Sequence, residues 1–278
     1  MIRSRGVDAV RCAVPAEVCA RLRASVLAEA GRFRPLARVA ELFGMNKGVR
    51  SPWKRSHVAL PWTDDVSGAV GAAARALEFS GVWEAAGLTR GAELVELSAM
   101  VAEPGAAAQA AHTDVPPDAA TRTCTMWIAL QRVDEARGPT VYYPLAPDET
   151  ATRYDWAALA RRSSRPTVYG PDGEAVPDLS PPETVDAPAP FADVDPVALT
   201  ADAGDVFLMD CRTFHFGAAN SSDVPRAQLS ATFRDGDVDE SGDGFTYRLG
   251  DDVPRLRLGD LLAAAAPGCD SGASGAGR

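Results

Sequence analysis

The chain lacks the cysteine and histidine patterns on which several common metal and redox sites are built. Its five cysteines are odd in number and widely spread, and no two of them form a CxxC pair; they are Cys12, Cys19, Cys124, Cys211 and Cys269. Structural zinc sites and dithiol redox sites usually depend on such pairs. We therefore expect reduced thiols, as in a cytoplasmic protein. An HExxH pattern is also absent, which places a zinc hydrolase last among the candidate functions.

Long apolar runs and clusters of basic residues are missing as well. No stretch approaches the ~18 apolar residues of a membrane span, and residues 1–18 contain no continuous apolar segment of the signal-peptide type. The formal net charge is -10, and no local run of Lys and Arg offsets the repulsion from a phosphate backbone. We expect a cytoplasmic protein that binds neither membranes nor nucleic acids.

The chain is long enough for one large domain. Of its 278 residues, 46% are hydrophobic, which is enough apolar material for a single core. We predict one domain over residues 1–267 and a flexible tail over residues 268–278. Residues 165–196 are dense in Pro, Gly and acidic residues. Their composition predicts a long surface loop, which is either a disordered insertion or a lid over a pocket.

Helices are predicted in the first third of the chain. The segment "PAEVCARLRASVLAEAG" places apolar residues at four-residue intervals between Pro15 and Gly31, which is typical of a capped amphipathic helix. A second helix is predicted over residues 35–44. A third, rich in alanine, is predicted over residues 66–79 and would pack on a sheet.

From Ala92 onward the sequence is typical of strands. Five short segments rich in β-branched or aromatic residues are separated by Gly, Pro and Asp; they are "AELVELSAMVAEPG", "TCTMWIALQRV", "PTVYYPL", "GDVFLMD" and "RAQLSATFR". In the first segment, alternation places Leu94, Glu96, Ser98 and Met100 on one face. Helices followed by many short strands predict an α+β fold whose sheets close into a sandwich or barrel.

Two of the three histidines stand in contexts that suit a metal site. His112 and Asp114 are two residues apart, so their side chains share one side of an extended segment, and His215 follows a predicted strand. Two histidines and one carboxylate form the facial triad of non-heme Fe(II), which leaves coordination positions open. Taken singly, His112 and Asp114 are more often an incidental polar edge. Arg226 follows His215 across a predicted turn, where its guanidinium would hold a dicarboxylate in the same pocket.

Three segments resemble the phytanoyl-CoA dioxygenase family of Fe(II)/2-oxoglutarate-dependent oxygenases. They are "ELSAMVAEPGAAAQAAHTD", "MWIALQRVDEARGPTVYYP" and "GDVFLMDCRTFHFGAANSSDVPRAQLSATF", within residues 92–234. The resemblance implies a double-stranded β-helix, also called a jelly-roll or cupin-like core, flanked by the N-terminal helices. It also implies that His112, Asp114 and His215 bind the iron at one mouth of this core.

The same resemblance implies the residues that bind 2-oxoglutarate. Arg226 would bind the distal carboxylate, and Gln109 and Thr140 match further contact positions whose side chains supply hydrogen-bond donors. For Gln109 and Thr140, an ordinary structural role on a strand is a nearly equal alternative.

Two residues outside the resemblance are candidates for the pocket wall. Lys54 stands in the basic segment 45–62 beside Arg55 and His57, and its cation would hold an anionic group of a substrate or cosubstrate. The alternative is a solvated basic turn with His57 hydrogen-bonded. Trp127 would wall the cosubstrate pocket, with simple core packing as its alternative.

The resemblance implies an oxidoreductase that uses Fe(II), 2-oxoglutarate and O2. Such an enzyme converts 2-oxoglutarate to succinate and carbon dioxide while it oxidises an unactivated C–H bond of a small molecule, for example a natural-product intermediate. Related halogenases replace the acidic ligand with a small residue, so the presence of Asp114 favours hydroxylation, with desaturation, epoxidation or rearrangement as further outcomes. The alternative from another class is a non-catalytic jelly-roll protein that binds metal or ligand. The substrate and the oligomeric state stay open.

Overall fold

The computed structural model describes residues 2–32, 34–35, 49–50, 54–109, 111–116, 119–153, 167–169, 175–177, 191–236, 249 and 252–264. The helices within these residues are α1 (Ile2–Arg5), α2 (Ala16–Ala30), α3 (Asp64–Phe79), α4 (Val82–Ala86), α5 (Pro147–Arg153) and α6 (Leu258–Ala263), with a 3-10 turn at Glu135–Arg137. The strands are β1 (Val7–Val10), β2 (Arg34–Pro35), β3 (Val49–Arg50), β4 (Arg55–Ala59), β5 (Glu93–Ala102), β6 (Thr123–Ala129), β7 (Thr140–Tyr142), β8 (Thr167–Tyr169), β9 (Ala175–Pro177), β10 (Val197–Ala198), β11 (Val206–Asp210), β12 (His215–Gly217) and β13 (Arg226–Arg234). The helix predicted over residues 35–44 and the tail predicted over residues 268–278 lie outside the described residues, except for Pro35.

The strands form three sheets, and the two larger ones enclose a cavity. The large sheet has the order β1-β11-β6-β13-β5-β4-β3-β2, and all of its neighbours are antiparallel except β2 and β3. The small sheet has the order β10-β7-β12 and is antiparallel. Residues of β4, β5, β6 and β13 line the cavity on one side, and residues of β7 and β12 line it on the other. This arrangement, with helices flanking the sheets, confirms the predicted jelly-roll core.

Helices α2 and α3 cover the face of the large sheet that points away from the cavity. The buried side of α2 is formed by Cys19, Leu22, Val26 and Ala30, a face with helical spacing. Helix α3 begins after Thr63, whose hydroxyl accepts the Val66 N–H at 3.3 Å and so caps the helix. The buried side of α3 includes the small residues Ala69, Gly71, Ala73 and Ala74, which let the helix approach its neighbours closely. Both predicted helices are therefore confirmed.

A β-bulge in β5 corrects one detail of the predicted alternation. Thr232 pairs with Glu96, but the next residue of β13, Phe233, pairs with Leu94, so the register shifts by one residue at Val95. Leu94 therefore packs with Phe233 in the core under the helices, whereas Glu96 lines the cavity. The prediction that Leu94 and Glu96 share a face is wrong. A bulge inserts one extra residue into the strand, so the side chains on its two sides that are two residues apart point to opposite faces of the sheet.

The segment over residues 165–196 contributes to the core at its carboxyl end. Strands β8 and β9 pair with each other, and Phe191 is fully buried against Tyr143 and Phe214. The rings of Phe191 and Phe214 are stacked with centroids 4.2 Å apart. Phe191 thus fixes one end of the segment next to β12.

None of the described helices has the length and apolar character needed to cross a bilayer.

Candidate metal centre

The backbone brings His112 and His215 side by side. Each donates its N–H to the carbonyl of the other at 2.8 Å, so the two residues form an antiparallel bridge at the edge of β12. Both side chains of such a pair lie on the same face. Their imidazole rings have centroids 4.6 Å apart. Two residues that are distant in sequence thus present two nitrogen ligands together.

Asp114 completes a group of three ligands. Its N–H donates to the Cys211 carbonyl at 2.9 Å, which anchors this part of the chain to the end of β11. One oxygen, Oδ1, lies 3.6 Å from Nε2 of His112 and 3.7 Å from Nε2 of His215. Candidate ligand atoms of the three residues all lie within 4.8 Å of one another, as a shared metal ion requires. The side chain of His112 is 35% exposed and that of His215 only 6%, so the group stands at the mouth of the cavity.

The electrostatics of Asp114 and His215 favour the forms that bind a cation. Burial acts to raise the pKa of Asp114, but the charge of His215 and the hydrogen bond and charge of His112 outweigh it, and the net pKa is lowered. Burial lowers the pKa of His215. Nδ1 of His215 lies 2.9 Å from the Thr213 carbonyl, which fixes the proton on Nδ1 and leaves the lone pair of Nε2 facing the other ligands.

Arg226 lies in the same cavity and is almost fully buried, at 3% exposed. Its Nη1 donates to Oε1 of Gln228, while its Nε has no hydrogen-bond partner. Among the described residues, no carboxylate forms an ion pair with it. Burial, and then the charge of Arg55, lower the pKa of Arg226 to about 9. A buried cation with an unsatisfied donor is costly, so this site suits an anionic ligand.

Arg55 supports the same end of the cavity, although it was foreseen only as part of a basic segment. Its guanidinium donates to the carbonyls of Ala107, Gly217 and Ala218 at 2.7 to 3.1 Å. Burial lowers its pKa to about 10. These bonds tie β4 to β12 and add a second positive charge near Arg226.

Gln109, Thr140 and Trp127 also line the cavity. Oε1 of Gln109 accepts the Gly217 N–H at 2.9 Å, which leaves its amide nitrogen as the donor. Thr140 pairs with Gly217 across β7 and β12. The indole Nε1 of Trp127 is buried without a hydrogen-bond partner. The structure therefore brings these three residues together with the ligands.

The prediction that Lys54 lies in the pocket wall is corrected by the structure, which does not place this residue among those that line the cavity. It is exposed, its Nζ donates to the Pro104 carbonyl at 3.2 Å, and it is not among the residues that line the cavity. Strand β4 begins one residue later; its residue His57 lines the cavity and its residue Arg55 is buried, whereas the backbone at Lys54 has a positive φ of 58°.

Sequence reasoning missed an acidic and hydroxyl-rich part of the cavity wall. Glu96 is 7% exposed and lies 3.2 Å from Nε2 of His57. Its oxygens accept the hydroxyls of Ser98 and Thr232, each at 2.8 Å. The inward position of Glu96 was visible in the alternation of β5, but nothing in the sequence placed His57 beside it.

The fold and the site together define a class of protein. A jelly-roll with two histidines and one aspartate at its mouth, and a buried arginine deeper inside, has the architecture of a non-heme iron oxygenase.

The sequence comparison names the family. The family model described as "Phytanoyl-CoA dioxygenase (PhyH)" matches residues 2–228, and the chain belongs to this family. Membership confirms the resemblance and the cofactors that it implied, Fe(II), 2-oxoglutarate and O2. No curated protein has a sequence that matches this chain significantly.

Solved structures with the same fold include a non-heme alpha ketoglutarate dependent epimerase at low sequence identity. A crystal structure of the epimerase SnoN with Fe³⁺, alpha ketoglutarate and nogalamycin RO is 19% identical, covers 92% of this chain and 96% of SnoN, and superposes with a TM-score of 0.54. A second SnoN structure, at 22% identity, covers 92% and 95% with a TM-score of 0.52. AviO1 from Streptomyces viridochromogenes Tue57 is 16% identical, with coverages of 84% and 91% and a TM-score of 0.51. These likenesses support the fold.

Proposed function

We propose that the chain is an Fe(II)- and 2-oxoglutarate-dependent oxygenase that hydroxylates, or otherwise oxidises, an unactivated C–H bond of a small molecule. The observation that carries the proposal is the convergence of His112, Asp114 and His215 in a cavity that also holds the buried, incompletely paired Arg226. The cavity has a volume of about 130 Å³ and opens to solvent at its mouth.

The residues present fit a ferrous ion. Two neutral imidazoles and one carboxylate match the donor set of the facial triad. His215 is held in the correct tautomer by Thr213, and the lowered pKa of Asp114 keeps that carboxylate ionised. In this assignment His112, Asp114 and His215 hold the iron, and the mouth of the cavity leaves one side of it accessible.

The residues at the other end of the same cavity fit 2-oxoglutarate. The unpartnered Nε of Arg226 is a buried donor on a positive charge, which a carboxylate would satisfy. The amide nitrogen of Gln109 and the hydroxyl of Thr140 supply neutral hydrogen bonds nearby. Trp127 supplies a wall with an additional N–H donor. Arg226 would therefore hold one carboxylate of 2-oxoglutarate in the cavity that also contains His112, Asp114 and His215.

Fe(II) and 2-oxoglutarate, when bound, supply the oxidative decarboxylation that activates O2 and oxidises the C–H bond. The protein's own residues supply geometry and a dry environment. The His112–His215 backbone bridge fixes both imidazoles, and Asp114 is fixed by its bond to Cys211. Met100 and Trp127 line the cavity and keep water away from the reacting groups.

Hydroxylation is the outcome that Asp114 favours, because a halide needs the coordination position that this carboxylate fills. The fold neighbour SnoN is an epimerase, so the same fold also supports a different outcome. Product analysis therefore has to accompany any measurement of turnover.

The proposal is tested in two stages. Anaerobic addition of Fe(II) and 2-oxoglutarate to the full chain should produce a weak visible charge-transfer band, with Zn(II) in place of Fe(II) as the colourless control. A screen of small molecules under air should then identify one that stimulates succinate release and gains one oxygen atom. A protein that gives no band and no succinate with any compound would be a binding protein rather than an oxygenase.

A further inference from the structure

We propose that the primary substrate presents a hydrogen-bond donor, a hydroxyl or a protonated amine, to Glu96 at the end of the cavity opposite Arg226. This inference rests on the proposed function, which it deepens by naming the chemistry of the substrate. The Glu96 cluster consists of Glu96, Ser98, Thr125, Ser230 and Thr232. Glu96 and Thr125 line the cavity, together with the neighbouring His57.

The Glu96 cluster is distant from the dicarboxylate site. On β13, Arg226 pairs with Ala102 of β5 and Thr232 pairs with Glu96. Six residues of extended strand separate Arg226 from Thr232, which is roughly 20 Å. A five-carbon diacid is far shorter than this distance. Glu96 therefore has no part in binding 2-oxoglutarate, and the space beside it is left for another molecule.

The hydroxyl groups of the cluster form two chains of hydrogen bonds, and each chain ends on an oxygen of Glu96. An ionised carboxylate is an acceptor only, so Ser98 and Thr232 donate to it. The proton of Thr232 is thereby used, and Thr125, 2.9 Å away, must donate to Thr232. Likewise Ser230 donates to Ser98, either to its hydroxyl at 2.6 Å or to its carbonyl at 3.4 Å. No hydroxyl proton of the cluster is left for a ligand.

The cavity is consequently divided by charge. At one end the buried guanidinium of Arg226 lines the cavity, and that of Arg55 lies behind the wall, bonded to the Gly217 carbonyl; this end attracts anions. Its Glu96 end offers a carboxylate and hydroxyl lone pairs, which attract donors and repel a second carboxylate. This arrangement directs 2-oxoglutarate to one end and a donor-bearing substrate to the other. The cavity therefore distinguishes the two ligands by the charge of the group that each presents.

The test uses three probes with the same ring: cyclohexylmethylamine, cyclohexylmethanol and cyclohexanecarboxylate. Their binding to the full chain is measured by saturation-transfer NMR in the presence of Zn(II) and saturating 2-oxoglutarate, which occupies the Arg226 end and so prevents the carboxylate probe from binding there. We expect the amine and the alcohol to bind and the carboxylate to bind at least about tenfold more weakly than the amine. Glu96→Gln should weaken the amine about tenfold. The control Glu93→Gln makes the same change on the same strand, at a partly exposed residue paired with Arg257, and should change nothing.

Equal binding of the amine and the carboxylate to the wild-type chain would overturn the proposal, as would an unchanged amine affinity in Glu96→Gln. If Glu96→Gln does not fold, Mn(II) replaces Zn(II) in the wild-type chain, and paramagnetic broadening of the amine shows whether it binds in the cavity; an amine that stays sharp contradicts the subsite. Binding of Mn(II) and 2-oxoglutarate is measured separately. Failure of that binding with the probe ranking intact would refute the oxygenase function and leave the subsite standing.

Discussion

Single residues decide what the metal centre can bind, and His215 illustrates this best. Its ring is buried, its Nδ1 is engaged by the Thr213 carbonyl, and its Nε2 faces Asp114. A second interaction of this kind holds a ligand in one orientation before the metal arrives. The loss of side-chain entropy that orders His215 therefore occurs during folding and not during metal binding.

The histidines of the triad should be required for metal binding, whereas the third histidine should not. We expect His112→Ala or His215→Ala to abolish binding of Mn(II) or Fe(II) as measured by calorimetry, because two ligands cannot replace the three. His57→Ala is the matched control and should bind metal within about twofold of the wild type. Metal affinity retained in either triad variant would show that the ion is held elsewhere.

Arg226 should govern the demand for 2-oxoglutarate. Arg226→Ala removes a buried charge-assisted pair worth about 2–5 kcal/mol, so the affinity for 2-oxoglutarate should fall by roughly 30-fold or more, with metal binding retained. Arg90→Ala, which removes an exposed arginine paired with Glu78, is the control. The measurement is a titration of the charge-transfer band with 2-oxoglutarate, and an unshifted midpoint would contradict the assigned role.

Among the connections between secondary-structure elements, the segment that begins at Phe191 is held in the core by one side chain. Phe191→Ala should lower the free energy of unfolding by about 3–5 kcal/mol, because a fully buried ring is lost from a packed cluster. Phe79→Ala removes the same side chain where it is 96% exposed and should have almost no effect. Urea unfolding of both variants decides the matter, and equal midpoints would show that the cluster adds no stability.

The turn before β11 depends on a single carboxylate. Asp205 accepts the N–H groups of Cys12 and Asp202, each at 2.9 Å, and pairs with Arg11 at 2.6 Å. Burial acts to raise its pKa, but these hydrogen bonds and the charge of Arg11 lower it below the ordinary value. The carboxylate thus joins Cys12, in the loop after β1, to the turn that precedes β11.

Replacement of Asp205 should lower the stability of the fold at neutral pH but not in acid. Because the pKa is lower in the folded state, the wild-type carboxylate stabilises the fold above the unfolded pKa of about 3.9, and this stability is lost as the pH falls through the folded pKa. Asp205→Asn should cost about 1–3 kcal/mol at pH 7. The difference from the wild type should shrink below about pH 4, as measured by urea unfolding. Asp223→Asn, at an exposed residue, should show no such difference at any pH.

The elements with strong periodicity were predictable from the sequence, and those set by tertiary contacts were not. Helices α2 and α3 and strands β5, β6, β11 and β13 follow clear patterns of apolar residues. Strand β4 did not, because its residues Arg55 and His57 are polar groups whose partners lie on other elements. The bulge at Val95 and the burial of Phe191 depend on pairing and packing that no local pattern encodes. The triad was predictable because its residues lie in recognisable sequence motifs. The Glu96 cluster was not, because it depends on pairing between strands.

At the scale of the whole molecule, the cavity lies between the two sheets and its occupants should join them. A metal ion and 2-oxoglutarate that bind only the folded chain should stabilise it by about 2.7 kcal/mol at a hundredfold excess over the dissociation constant. The melting temperature should therefore rise on addition of Mn(II) and 2-oxoglutarate and return to its starting value with a chelator. An unchanged melting temperature in the presence of both ligands would show that the folded chain does not bind them.

Under the proposed assignment of His112 and His215 as iron ligands, the backbone bridge between them also sets when during synthesis the ion could be captured. The bridge closes a stretch of 103 residues (215 − 112 = 103), so an elongating polypeptide would have an incomplete coordination sphere until the ribosome had passed His215 and β12 had reached its partner. Iron loading would thereby be deferred until most of the protein had been made. A nascent chain would in this way be spared a redox-active ion at a stage when no finished cavity would contain its chemistry.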